Sequence, residues 1–272
     1  MSYKECGIIN EIDNYFDDDP NKSGEYYSMN ILNTYCPGSN CSSDKEKIIS
    51  GFIMLLNMLN DEYLESDKIV EYASLWLSHK LNQKKENGIT KLYDFYANNI
   101  ETNSLYTGNI SNNSDDHINI GVIDKKIKSM DIDIKDISNF YDALKSLCNM
   151  HSEINVDNYQ CNNCLENAGE FFEKCEKVKN IFDITKGSSY LQLWISLSND
   201  YKNFESNYNS HFCTNGPPLV TCSRSSVTKN TLISIAIIFV AASILLGVSY
   251  KYSLFGFRKR SQKQQLREML KK

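Results

Sequence analysis

Nine cysteines offer the most chemistry in this 272-residue chain, and they are unevenly spread. Eight, namely Cys6, Cys36, Cys41, Cys148, Cys161, Cys164, Cys175 and Cys213, fall in an N-terminal region; Cys222 follows, and none lies beyond it. An even set suits a disulfide framework formed in an oxidising compartment, although spacing leaves its connectivity open. Cys36 and Cys41 bracket Pro-Gly-Ser-Asn, a turn tight enough for a local bridge. Cys164 and Cys175 stand three helical turns apart on one face, so each needs a partner elsewhere. Other thiol chemistries compete with this reading. Cys161-x-x-Cys164 is half of a zinc site, but no matched second pair follows, so no metal is expected. A redox pair would want an adjoining strand and helix alternation, which is missing. Buried free thiols are the plain alternative. Cys222 is left unpaired or available to link two chains.

Catalytic and binding constellations are sparse. Cys148 and His151 lie about one helical turn apart, the spacing of a thiolate and imidazole pair. With nine cysteines and four histidines such adjacency is cheap, and a core cysteine beside a surface histidine is the plainer reading. Asp19, Asn21, Ser23 and Gly24 match positions 1, 3, 5 and 6 of a calcium loop, but Asn30 at position 12 offers no bidentate carboxylate and Pro20 intrudes. A solvated acidic turn is expected there. Asp131 and Asp133 precede a helix and favour its N-terminus. No Gly-x-Ser-x-Gly, Walker loop, Gly-x-Gly-x-x-Gly or His-Glu-x-x-His is present, so neither catalysis nor a cofactor is expected. Asn-x-Ser/Thr acceptors stand at Asn21, Asn40, Asn109 and Asn112, weak support for an extracellular location in so Asn-rich a chain.

The elements that must position these residues read as helices throughout, an all-α domain over residues 1–213. Only four prolines occur, and none interrupts Gly38 to Gly216. Ser43-Asp44-Lys45-Glu46 reads as a capping box opening a helix through Asn60, with Ile48, Ile49, Phe52, Ile53, Leu56 and Leu59 inward. A helix from Ser66 to Lys85 turns Ile69, Val70, Ala73, Trp76, Leu77 and Leu81 inward. Lys91 to Ile100 continues as a third. Residues 101–119 show no period and many turn formers, so a surface loop is expected. Helices resume near Gly121, then over Asp136 to Met150, Cys161 to Phe182 and Ser188 to Asn207. Tyr72 to Ser78 and Tyr190 to Ser196 share Tyr-x-x-Leu-Trp-(Leu/Ile)-Ser, read as two core helices with similar anchors, Trp76 and Trp194, rather than as a repeat.

The C-terminal part has a different character. Leu232 to Tyr250 is 19 residues without formal charge, about 28 Å as a helix, which fits one bilayer crossing. A span is expected over 231–250, after a Pro/Gly-rich stalk at 214–230 and before a basic tail at 251–272. Eight cations follow the run and two precede it, which places the tail on the cytoplasmic side. Tyr250, Tyr252, Phe255 and Phe257 suit the headgroup level, with Arg258, Lys259 and Arg260 against anionic lipid. Ala241, Ala242, Ser243 and Gly247 offer a small-residue face for an oligomer, as Cys222 offers a covalent one. The tail hides the charge of the rest: the formal −5 becomes about −12 over residues 1–250. That acidic part lacks a Lys/Arg stripe interleaved with aromatics, so nucleic acid is not an expected partner. The start, Met1 to Asp19, has no continuous apolar run, so no cleavable secretory signal is seen.

The tail from Tyr250 to Lys272 resembles the C-terminus of the Plasmodium interspersed repeat (PIR) proteins, particularly the rodent-malaria yir, bir and cir groups. ILNTYCPGSNC, YASLWLSHKLN, IKDISNFYDALKSLCNMHSE, CLENAGEFFEKC and YLQLWISLSNDYKNF fit the same pattern in order, so the resemblance covers nearly the whole chain. It implies a variant antigen exported to the infected red cell, with a helical, disulfide-bearing variable domain, one span and a short cytoplasmic tail. It also implies export without a standard N-terminal signal. The family cysteine pattern carries onto Cys36, Cys41, Cys148, Cys161 and Cys164; no ligand is implied residue by residue. The expected function is therefore a non-enzymatic surface protein that meets host molecules or antibody, with residues 101–119 as an accessible variable patch. The alternative is a membrane-anchored intracellular scaffold that binds protein partners through its acidic helical domain.

Overall fold

The computed structural model describes residues 1–16, 31–62, 64–84, 90–113, 115–154, 166–181 and 187–212. The chain divides into two units, Met1–Arg224 and Ser225–Lys272, and every described residue belongs to the first. The stalk at 214–230, the span at 231–250 and the tail at 251–272 with its interface residues therefore lie outside the described residues. So do the acidic turn around Asp19 and Cys161, Cys164, Cys213 and Cys222. Among the described residues no helix is long and apolar enough to cross a membrane.

The described part is helical, with two isolated bridges, Lys91 to Asp133 and Ser111 to Asn119, in place of a sheet. In chain order the α-helices are α1 (Tyr3–Asn14), α2 (Asp44–Asn60), α3 (Ser66–Lys84), α4 (Leu92–Asn99), α5 (Ser104–Asn109), α6 (Ile120–Ser129), α7 (Ile134–Glu153), α8 (Glu166–Ile181) and α9 (Gly187–Asn207). Helices α3 and α7 form the centre. α7 packs against α1, α3, α8 and α9, and α3 also meets α2 and α6.

Central position follows from side-chain distribution. From Ile69 to Ser78 every residue of α3 is buried, so this helix needs neighbours on all sides. α7 buries Ile137, Phe140, Tyr141, Leu144, Leu147 and Cys148, while Lys135 and Asp142 reach outward. α2 starts where the sequence signals it: Ser43 Oγ accepts from the Glu46 amide at 3.2 Å. The Glu46 carboxylate reaches one residue further back, to the Ser42 amide at 2.6 Å and hydroxyl at 2.8 Å.

Two features depart from the sequence reading. Helix α1 precedes the first helix expected there; it opens with a capping box between Ser2 and Glu5 and buries Cys6, Ile9 and Ile12. The stretch 101–119, expected as a loop, contains α5, and Asn119 folds back beside Ser111. Six helical residues are too few to display a period, but Asn103 caps them through the Leu105 amide at 2.9 Å. Tyr106 anchors them in the core, its hydroxyl 3.1 Å from that of Tyr96. Asp131 and Asp133 precede α7 as read from the sequence, with Asp133 at its N-cap position, and Lys91 bridges them at 3.1 Å and 3.3 Å.

Candidate functional site

Asp13, next to last in α1, is where three helices meet. Its carboxylate accepts from the Trp76 indole at 3.1 Å and the Lys80 ammonium at 2.9 Å on α3. From α7 it accepts the Tyr141 hydroxyl at 2.7 Å and the Lys145 ammonium at 2.6 Å. Four donors match the lone pairs of one carboxylate. Burial alone would raise the Asp13 pKa, but the charges of Lys80 and Lys145 overcome it and hold the group at about 2. Tyr141 is pushed well above the usual phenol range by its own burial and then by Asp13, so it stays a donor.

Beside this hub a cleft of about 480 Å³ opens between the end of α1, α3, α7 and α8. Its walls carry Asn14 and Phe16 from the α1 end, His79 and Gln83 from α3, Asp142 and Asn149 from α7, and Glu170 and Lys174 from α8. His79 lies against the Tyr141 ring, centroids 4.6 Å apart. Its Nδ1 is 3.1 Å from Asp142 Oδ1 and 3.3 Å from Ser138 Oγ, and its Nε2 is 2.9 Å from the Gln83 amide nitrogen. Serine, histidine and aspartate thus meet, but both oxygens address the same ring nitrogen. A hydrolytic relay needs serine and acid on opposite nitrogens, so this grouping does not form one.

A second polar network joins α3, α6 and α9. Asp200, buried on α9, accepts from the Met1 amino group at 3.0 Å, the Tyr72 hydroxyl at 2.9 Å and Lys68 at 3.0 Å. Glu71 pairs with Lys126 at 3.0 Å and Lys68 at 3.5 Å, and Ser196 completes the set. Removing one partner from such a group strands a buried charge, which is why these residues act as a clasp between helices. His151 lies nearby against Phe204, ring centroids 4.7 Å apart. Burial and then the Met1 ammonium push its pKa down to about 4.

The cysteines resolve into two bridges among the described residues, Cys6 to Cys148 and Cys36 to Cys41. Cys175 is a correction to the expected pairing set: it is a free thiol, buried on the inner face of α8. Its burial raises the thiol pKa well above normal, with Glu176 adding to the effect, so thiolate chemistry is suppressed. Cys148 lies in the core, as expected, and forms no thiolate and imidazole pair with His151. The sulfur is already bonded to Cys6, and the histidine, expected at the surface, is buried. Among the described residues no group of acids, cysteines and histidines is arranged to hold a metal ion.

Both bridges, the central helix pair and the helical content invite comparison with known proteins. The family of Plasmodium variant antigen proteins Cir/Yir/Bir matches residues 6–251. The chain belongs to this family. A solved Plasmodium PIR protein ectodomain is similar over 81% of this chain and 99% of its own length, with 35% identity and a TM-score of 0.61. No curated protein matches. In this Cir/Yir/Bir antigen Trp76 and Trp194 are both buried, on α3 and α9, so the shared Tyr-x-x-Leu-Trp pattern marks two core faces.

Asp13 and Asp200 are the polar residues that sequence reasoning passed over in this variant antigen. A signal existed for Asp200. Leu193, Leu197, Asp200 and Phe204 follow helical spacing, so a carboxylate stands within an apolar stripe and requires a buried partner. Asp13 sits beside Ile12 at the edge of the α1 stripe, and nothing local announces that donors from α3 and α7 converge on it.

Proposed function

We propose that this variant antigen is displayed at the surface of the infected red cell as a non-enzymatic helical head that meets host molecules or antibody. In this reading residues 1–213 stand outside, 214–230 form the stalk, 231–250 cross the bilayer once, and the basic tail 251–272 lies in the cytoplasm. The observation that carries it is the pair of bridges, Cys6 to Cys148 and Cys36 to Cys41. Disulfides close and persist in oxidising surroundings, whereas an intracellular scaffold would keep these cysteines as thiols. The family membership and the similarity to a PIR ectodomain support the same orientation.

Trypsin added to intact infected cells, followed by mass spectrometry without reduction, tests this directly. Head peptides released into the medium still linked through Cys6–Cys148 are the expected result. Complete protection of the head in every stage, with all cysteines alkylated as thiols, overturns display and leaves the scaffold.

A further inference from the structure

We propose that the cleft between α1, α3, α7 and α8 is a binding site for an uncharged, polyhydroxylated ligand, that is, a sugar residue of a glycan. The cavity, about 480 Å³, falls within the range of small-molecule sites. Its lining differs from the usual apolar pocket, because nearly every wall residue is polar. An apolar ligand would gain little there and would strip water from groups it cannot satisfy.

The charges in the cleft are already matched. Lys80 and Lys145 are both bonded to Asp13. Asp142 accepts from His79 at 3.1 Å, and Glu170 faces Lys174 at 3.9 Å. The three carboxylates Asp13, Asp142 and Glu170 stand against the three ammoniums Lys80, Lys145 and Lys174, so the lining is close to neutral. Inside the cleft a phosphate or carboxylate competes with Asp13 for Lys80 and Lys145, which leaves at the rim only Lys174 with its long, solvent-screened contact to Glu170. Drawing Lys80 or Lys145 away leaves the partly buried Asp13 charge short of a partner.

What remains to recognise a ligand are neutral groups with both donor and acceptor capacity. Asn14 and Asn149 make no side-chain hydrogen bond among the described residues, and Gln83 has its carbonyl oxygen left after donating to His79. Amides of this kind bond adjacent hydroxyls as donor to one and acceptor from the next. The half-buried ring of Phe16 gives one apolar wall, suited to the C–H face of a pyranose. The cleft argument concerns ligand chemistry alone; that such a glycan belongs to a host cell rests on the display reading above.

The test uses the full chain in detergent, with lactose and N-acetyllactosamine as uncharged probes and inorganic phosphate, sialic acid and ethylammonium as charged ones. Saturation-transfer NMR and calorimetry read the binding. Saturable binding of an uncharged sugar is expected, weakened about fivefold by Gln83→Ala and by Asn149→Ala, as loss of one hydrogen bond predicts. Lys4→Ala, at an exposed residue outside the cleft, leaves it unchanged. Gln83 is exposed, so its variant keeps the fold even where Asn149→Ala does not. No saturable binding of either sugar, binding indifferent to both cleft variants, or preference for a charged probe overturns the proposal. Because the measurement is made on purified protein, a failure here is distinct from a failure of surface display.

Discussion

Cys6 on α1 and Cys148 on α7 are joined by a disulfide with their Cα atoms 4.9 Å apart, although 142 residues separate them in the chain. Asp13, on the same helix as Cys6, binds Tyr141 and Lys145 on the same helix as Cys148. α1 is thus fastened to α7 covalently near one end and electrostatically near the other.

Loop length predicts unequal effects for the two bridges. Replacing Cys6 and Cys148 together by serine should lower unfolding free energy by about 5 kcal/mol, since the bridge closes 142 residues. The same change at Cys36 and Cys41, only 5 residues apart, should cost about 2 kcal/mol. Urea unfolding of both double variants measures the contrast; equal losses would mean that native strain, not loop closure, sets the values.

Gly51 on α2 faces the Trp76 ring so closely that a Cβ would lie 2.6 Å from its Cη2 and 2.8 Å from Phe16 Cζ. Alanine normally strengthens a helix by up to about 1 kcal/mol relative to glycine. Here Gly51→Ala should instead destabilise by about 1–3 kcal/mol, because the buried indole has nowhere to move. Thermal melting with near-UV circular dichroism reports both the loss and the disturbed tryptophan.

Acid should weaken the head in two separable windows. Between pH 6.5 and 4 the unfolded chain binds a proton at His151 that the folded state refuses. Stability therefore falls on acidification through that range, by about 3 kcal/mol. Asp13 acts lower: its depressed pKa contributes stability above its ordinary 3.8, lost as pH falls toward about 2. That loss is about 2 kcal/mol. His151→Phe should flatten only the upper window and Asp13→Asn only the lower, in denaturant titrations taken at successive pH values.

Tyr106 ties α5 to the core through the Tyr96 hydroxyl and an edge-on ring contact at 5.9 Å. Tyr106→Phe removes only the hydrogen bond and should cost about 1 kcal/mol. Tyr106→Ala should cost about 3 kcal/mol and release the amides of 104–110 in hydrogen exchange. Retained protection in the alanine variant would show that Asn103 capping alone orders this stretch.

The long helices were legible because their apolar spacing and caps are local properties. Ser43 and the stripe from Ile48 to Leu59 locate α2, and the turnless run from Ser66 locates α3. Helix α5 was hidden because its stability comes from Tyr96, a residue outside it. The cleft was hidden for a related reason. Its walls come from the α1 end, α3, α7 and α8, and its charges are interpretable only once Asp13 is seen between Lys80 and Lys145. Pairing of Cys36 with Cys41 was open to inspection across four residues, whereas Cys6 and Cys148 meet through tertiary folding.

The order of synthesis gives α1 an unusual history. It leaves the ribosome before the other described helices, yet its fastenings to α7, Tyr141 and Cys148, arrive more than 120 residues later. At about 5–20 residues per second, α1 waits on the order of ten seconds for them. Through that interval the nascent polypeptide lacks its covalent closure, so oxidation of Cys6 with Cys148 is the late event that locks α1 onto α7.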